Sequence, residues 1–150
     1  MVHVLAPRPP LPQLPLFFNV DGAVGANAPN SNPTDIMLVQ FLIRLIGNTP
    51  DGALAAQSAL LQRVNPTGTM DQNTIAAIKA VQAAEGKAVD GRVSSAQGYK
   101  YNGTYYTIVS LNFSVRGRAT FKPTWPNRDR IAGCPGQLAA AVRNALAGTA

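Results

Sequence analysis

A chain of 150 residues and 15.8 kDa has room for one ordinary domain with arms, and little for a multidomain enzyme. Hydrophobic residues make up 46% of it, enough for a core, while the charged share of 13% is about half the usual ~25%. One cysteine and one histidine, His3, exclude an internal disulfide framework and a multi-cysteine metal site, and remove most zinc and base-driven nucleophile chemistry.

The net charge of +6 is unevenly placed. Residues 1–99 carry six basic and six acidic side chains, so the whole excess lies in residues 100–150, where seven basic groups face Asp129 alone. Such an asymmetry suits docking onto an anionic surface, and equally serves solubility in a chain poor in charge. The first twenty residues have no basic leader, and five prolines break the apolar stretch that a signal peptide needs. The apolar run from Ile36 to Ile46 is too short to span a bilayer and contains Gln40 and Arg44. The expectation is a protein made in the cytosol, with no membrane insertion.

In chain order, residues 1–18 read as an extended proline arm in polyproline II, unable to join the middle of a sheet. Leu11-Pro12-Gln13-Leu14-Pro15 has the spacing of a PxxP ligand; the other reading is a strap across a neighbour or its own domain. Helix signals follow. Asn32 can cap a first helix, Pro33 suits its first position, Asp35 complements the dipole and Gly47 can end it. The residues between are apolar nearly all round, which predicts burial nearly all round. A second helix is expected over about Asp51 to Val64, stopped at Asn65-Pro66. A third starts at Asp71, with Ile75, Ile78, Val81 and Gln82 inward, and closes at Gly86. Val89 to Val93 reads as a tight turn in which Gly91 supplies the positive φ.

Asn102-Gly103 then predicts a hairpin that pairs Tyr99-Lys100-Tyr101 with Thr104-Tyr105-Tyr106. Beyond it, Tyr105, Thr107, Val109, Leu111, Phe113 and Val115 alternate with Ser110, Asn112, Ser114 and Arg116, which predicts a half-buried strand. A basic loop with Trp125 follows, and a last helix from Pro135 to about Leu146 before Gly148. The fold class expected is α+β: an extended arm and loop (1–32), a helical bundle (33–98), then hairpin, basic loop and C-terminal helix (99–150).

One set of residues carries a family resemblance. Gly68-Thr69-Met70-Asp71, Thr74, Ala77-Ile78, Val81-Gln82, Gly86 and Val89-Asp90-Gly91-x-Val93-Ser94 stand in the order and spacing of the small peptidoglycan-binding domain. Asp35-x-x-Leu38-Val39-Gln40-x-Leu42, ending at Gly47, is similar to that family's first helix. The resemblance covers roughly residues 33–94. It implies a compact three-helix bundle and a groove for wall glycan or its peptide stems, at which Gln40, Gln82 and Asp90 are the candidate contacts. This chain departs from the pattern in an extra helix between Gly47 and Gly68, in Val81 where the family has an aromatic, and in a hairpin after Ser94. Both glutamines also read as core-edge residues bonded to backbone, and Asp71 and Asp90 as a helix cap and a turn residue.

Catalysis finds little support. Cys134 precedes Pro135 at a helix N-terminus, where a thiol can be activated, but no histidine of the body is available to pair with it; an intermolecular disulfide or a packed thiol is the other reading. No two carboxylates stand at a spacing that suits glycoside cleavage, and no cofactor is called for. Arg116, Arg118, Lys122, Arg128 and Arg130, with Trp125 among them, have the composition of a protein interface or of a nucleic-acid surface. Leu11 and Leu14 are the arm's candidate interface residues. The function expected is therefore a non-enzymatic phage virion protein, of a tail or related injection particle, binding other particle subunits in an oligomeric assembly and contacting peptidoglycan. The alternatives are a freestanding wall-binding module working with a separate hydrolase, and a basic nucleic-acid-binding protein.

Overall fold

The computed structural model describes residues 1–49, 52–118, 121 and 134–148. It is mixed helix and small strand pairs, an α+β arrangement. The described helices are α1 (Pro33–Asn48), α2 (Ser58–Leu61) after a 3-10 segment Gly52–Gln57, α3 (Gln72–Ala84), α4 (Thr107–Arg116) and α5 (Gly136–Ala147). Three two-stranded antiparallel sheets stand among them. Strand β1 (His3–Leu5) pairs with β2 (Phe17–Asn19), β3 (Val24–Gly25) with β4 (Arg92–Val93), and β5 (Lys100–Tyr101) with β6 (Thr104–Tyr105).

Helix α1 begins as its sequence dictates. The Asn32 side chain accepts from the Thr34 and Asp35 N–H groups at 3.0 and 3.1 Å, and Pro33 opens the first turn. Gly47 does not end the helix; it lies in the last turn, where a Cβ would stand 2.8 Å from Leu61 Cβ and from Gln62 N. The glycine is needed because α2 crosses there. The helix stops at Thr49, whose hydroxyl donates back to Leu45 O at 2.7 Å.

The long second helix expected over residues 51–64 is, in its described part, a 3-10 segment and one α-helical turn. Of its described side chains only Leu54, Leu61 and Val64 are buried, and no side chain caps α2. With so little core contact and no cap, propensity alone does not extend a helix.

Helix α3 follows its sequence signals closely. The Asp71 carboxylate accepts from Thr74 N–H at 2.8 Å, and Thr74, Ala77, Ile78, Val81 and Gln82 are buried. It closes in a Schellman motif: Lys87 N–H reaches Gln82 O at 2.9 Å and Gly86 N–H reaches Ala83 O at 3.2 Å.

Two further expectations change. The proline arm lies across its own domain, one of the two places expected of a strap, but not as a single extended polyproline stretch. It doubles back so that β1 pairs with β2 in register His3 with Asn19, and Leu14, Phe17 and Phe18 are fully buried. Tyr99 holds its bend: its hydroxyl accepts from Leu11 N–H at 3.1 Å and donates to Leu14 O at 2.5 Å. Apolar side chains between prolines gain more from the core than from solvent extension.

The half-buried strand expected from Tyr105 to Val115 is instead helix α4. Ile108, Leu111, Asn112 and Val115 are buried at i, i+3, i+4 and i+7, a helical set hidden inside the alternation. The β-branched residues favour a strand, but packing against α1 and β2 decides otherwise. Asn112, placed by the alternation on the polar side, is fully buried. It accepts from Phe18 N–H at 3.0 Å and donates to Phe18 O at 3.0 Å and Ile108 O at 2.7 Å.

The hairpin before α4 is as expected. Asn102 and Gly103 both take positive φ, 49° and 80°, and Lys100 stands opposite Tyr105. One hydrophobic core runs through residues from Val2 to Val142, drawing on the arm, the 33–98 segment and the C-terminal part together.

Asn112→Leu keeps the branching of the side chain but removes the carboxamide that bonds the Phe18 N–H and C=O inside the core. The expected loss is about 1–3 kcal/mol for the buried hydrogen bonds removed, read as a lower urea midpoint with an unchanged m-value.

Candidate functional site

The two glutamines named by the family resemblance form the same device at two places. Gln40 sits in the middle of α1, fully buried. Its Oε1 accepts from Gly68 N–H at 3.0 Å, and its Nε2 donates to Thr69 O at 2.9 Å and to the Thr74 hydroxyl at 3.1 Å. Gln82 on α3 is 3% exposed. Its Oε1 accepts from Gly91 N–H at 3.0 Å and Asp90 N–H at 3.2 Å, and its Nε2 donates to Arg92 O at 2.8 Å and Asp90 Oδ1 at 2.9 Å. Each amide thus accepts from a glycine of positive φ (Gly68, 83°; Gly91, 72°) and donates to the carbonyl of the next residue. Both are clamps that hold a turn against a helix. Gln40 is fully buried, while Gln82 lies on the wall of a cleft with its amide engaged by the turn.

Gln82 nonetheless positions a surface. Its clamp fixes Asp90, which is exposed, at the edge of a cleft of about 210 Å³ between α3, the turn and the β5–β6 hairpin. Arg92 stiffens the same turn, donating from Nε to Ala26 O at 2.7 Å and from Nη2 to Asn27 O at 2.8 Å. The opposite wall is aromatic: Tyr101, Tyr105 and Tyr106 line it with Thr104 and Thr107. Tyr101 packs at a tilt on Tyr106 with ring centroids 6.4 Å apart, and Lys100 Nζ stands 4.6 Å over the Tyr105 ring. Among the described residues, the hydroxyls of these three tyrosines have no protein hydrogen-bond partner, in contrast with Tyr99.

A larger cleft of about 420 Å³ adjoins it. Leu54, Tyr105 and Phe113 give it apolar walls, and Glu85, Ser110 and Ser114 polar ones. Phe113 meets the Tyr105 ring edge-on at 5.6 Å. Lys87 pairs with Glu85 Oε2 at 3.0 Å and donates to the Ser110 hydroxyl.

A separate polar centre lies under the start of α1. Asp35 is fully buried, and its Oδ2 accepts from Asn30 Nδ2 at 2.8 Å, the Met1 amino group at 3.1 Å and Asp21 N–H at 3.2 Å. The Met1 hydrogen bond holds the Asp21 carboxyl below its ordinary range, against a smaller opposing effect of burial.

The expected interface residues separate. Arg118 does not extend a polar face; it is 7% exposed and donates to Thr49 O at 2.8 Å and Ser114 O at 2.5 Å. Arg116 is half-buried at the end of α4. Leu14 is buried and Leu11 half-buried in their own chain, so the arm presents no PxxP ligand. Lys122, Trp125, Arg128 and Arg130 lie outside the described residues. Cys134 is half-buried just before α5. Among the described residues, no group of three or more His, Cys, Asp or Glu side chains is placed to hold a metal ion, and no helix is long and apolar enough to cross a membrane.

The tyrosine wall went unrecognised in the sequence, although the signal was there: all four tyrosines of the chain lie between residues 99 and 106. They read as strand formers, and only the turn brought across by Gln82 makes them a wall. No known family model, curated protein or solved structure matches the chain.

Gln40→Ala and Gln82→Ala each strip a buried turn of its acceptor and donor. Each variant is expected to lose about 2–4 kcal/mol of stability, since more than one buried partner is orphaned at about 1–3 kcal/mol each. Denaturation midpoints measured beside Arg143→Ala, an exposed change on α5, check this.

Proposed function

We propose that the protein is a non-enzymatic binding component that seats bacterial wall glycan in the cleft between the Asp90 turn and the tyrosine hairpin. We further propose that it does so as part of a phage tail or related injection particle. The observation that carries the reading is the rim of this cleft. Tyr101, on its aromatic wall, is 67% exposed, one of three large hydrophobic residues that the described surface leaves in water. An aromatic ring held in solvent on the wall of a concave place suits a binding surface. Tyrosine faces take the C–H side of a sugar ring, and unspent hydroxyls with the Asp90 carboxylate take its hydroxyls.

The particle reading draws on the family resemblance and the charge of the last third. The freestanding wall-binding module is favoured by one specific observation: the N-terminal segment closes on its own core, leaving Leu14, Phe17 and Phe18 nothing to strap. Sedimentation of the purified protein with its candidate particle partners separates the two. The nucleic-acid reading has lost one of its cations, because Arg118 is buried and bonded within the chain.

Purified protein is expected to pellet with insoluble peptidoglycan at low salt. Tyr101→Ala should weaken this about tenfold, the equivalent of about 1.4 kcal/mol for a lost aromatic anchor. Its denaturation midpoint should stay near that of the parent, since the ring is mostly in solvent. Absence of pelleting by the parent protein removes the wall reading.

A further inference from the structure

The Asn102-Gly103 pair that closes the hairpin carries chemistry beyond its turn. No other asparagine of the chain is followed by glycine. Both residues are exposed, and a Cβ built on Gly103 would meet nothing within 4 Å. Neither the Asn102 carboxamide nor the Gly103 N–H makes a hydrogen bond among the described residues. Other asparagines are held or blocked. Asn19 and Asn112 are buried with their amides bonded to backbone, and Asn30 and Asn32 bond the start of α1. Asn32 and Asn65 also precede proline, which has no N–H.

We propose that Asn102 is a site of spontaneous deamidation whose product unseats the tyrosine wall, so that the hairpin limits the working life of the cleft. The Gly103 nitrogen gives its proton to solvent base and attacks Asn102 Cγ. The bond from Cγ to the amide nitrogen breaks, ammonia leaves, and a succinimide ring is closed. Water then opens the ring at either carbonyl, giving aspartate or isoaspartate, with no electron transferred. Glycine suits the attack because no Cβ shields its nitrogen. Ring closure needs rotation about the Asn102 Cα–C bond, out of the turn, so opening of the hairpin sets the rate. Strands β5 and β6 share only the pairs Lys100 with Tyr105 and Tyr101 with Thr104, and Tyr105 alone of these residues is not exposed. So small and wet a ladder opens far more readily than the core.

Isoaspartate routes the main chain through Cβ and Cγ. The added carbon enters a turn whose geometry depends on positive φ at both positions, 49° and 80°. A new carboxylate also stands at the tip. The short ladder then loses register, Tyr101 its place on Tyr106, and Lys100 its place over Tyr105. The effect on binding rests on the wall-glycan reading, whereas the covalent step does not.

The test ages the full-length protein in mildly alkaline buffer and follows it by peptide mass mapping and isoaspartyl methyltransferase labelling. Conversion is expected at Asn102, at least about tenfold faster than at any other asparagine, the equivalent of about 1.4 kcal/mol in barrier. Aged protein should pellet with peptidoglycan about tenfold more weakly than fresh protein. Asn102→Gly keeps a turn that accepts positive φ and has no amide to lose, so it should bind alike before and after ageing. Conversion at Asn102 that is absent, or no faster than elsewhere, overturns the site. The tyrosines all lie between residues 99 and 106, so the near-ultraviolet circular dichroism of aged against fresh protein reads the wall directly. An unchanged spectrum after conversion, or undiminished pelleting, overturns the unseating. Failure of fresh protein to pellet removes the wall-glycan reading alone, and mass mapping with the tyrosine spectrum still decides this inference.

Discussion

Helix α1 is the constraint that the rest of the molecule satisfies. Thirteen of its sixteen residues are buried, Ile36 to Ile46 almost without interruption, so it must be covered on every side. One sheet or one partner helix covers only a stripe. The chain meets this with many short pieces: α2 crosses at Gly47, α4 and α5 pack on other sides, and β3 with α3 covers the rest. The doubled-back proline segment packs outside that cover, β1 on α5 and β2 on α4. With Phe17 and Phe18 fully buried, burying each of the two rings is worth about 1.5–3 kcal/mol, enough to hold a segment that makes few backbone bonds of its own.

A core built around one helix leaves the connecting turns to be fixed individually, and buried amides do this. Gln40 fixes the turn into α3 and Gln82 the turn into β4, through the same pair of bonds to a left-handed glycine and the residue after it. Asn112 does the equivalent for the Phe18 backbone, and Asn19 for Ala96, whose N–H and C=O it bonds at 3.0 and 2.9 Å. Carboxamides suit the task because one group both donates and accepts without carrying charge into the core. Their repeated use also explains how so few charged residues support so many ordered loops.

The surface features follow from this economy. The turn held by Gln82 forms one wall of the smaller cleft, and the hairpin that positions Tyr101 precedes α4 directly, so both walls are tied to the core. A cleft with rigid walls can keep Tyr101 in solvent without collapsing onto it. The larger cleft is bounded by Leu54 after α1, Glu85 at the end of α3 and the outer stripe of α4, and so depends on elements far apart in sequence.

Local chemistry determined much by itself. The Asn32 and Asp71 caps, the Gly86 close of α3, the Gly91 turn, the Asn102-Gly103 hairpin and α5 were legible because each depends on a few neighbouring residues with a specific φ or a specific donor. The residues of the smaller cleft were legible in part, since Gln82 and Asp90 both line it, but the engagement of the Gln82 amide by the turn was not. Tertiary structure alone decided the rest. Thr107 to Val115 satisfies a period of 2 and a period of 3.6 equally, and only the core waiting beside α1 and β2 selects the helix. The proline segment has no local reason to fold back, and does so because Leu14 and Phe17 find the core and Tyr99 lies 85 residues away from Leu14 to bond its carbonyl. Gly47 looked like a helix end because glycine ends helices, whereas the space it saves is claimed by a residue fourteen positions on, Leu61, which no local window contains.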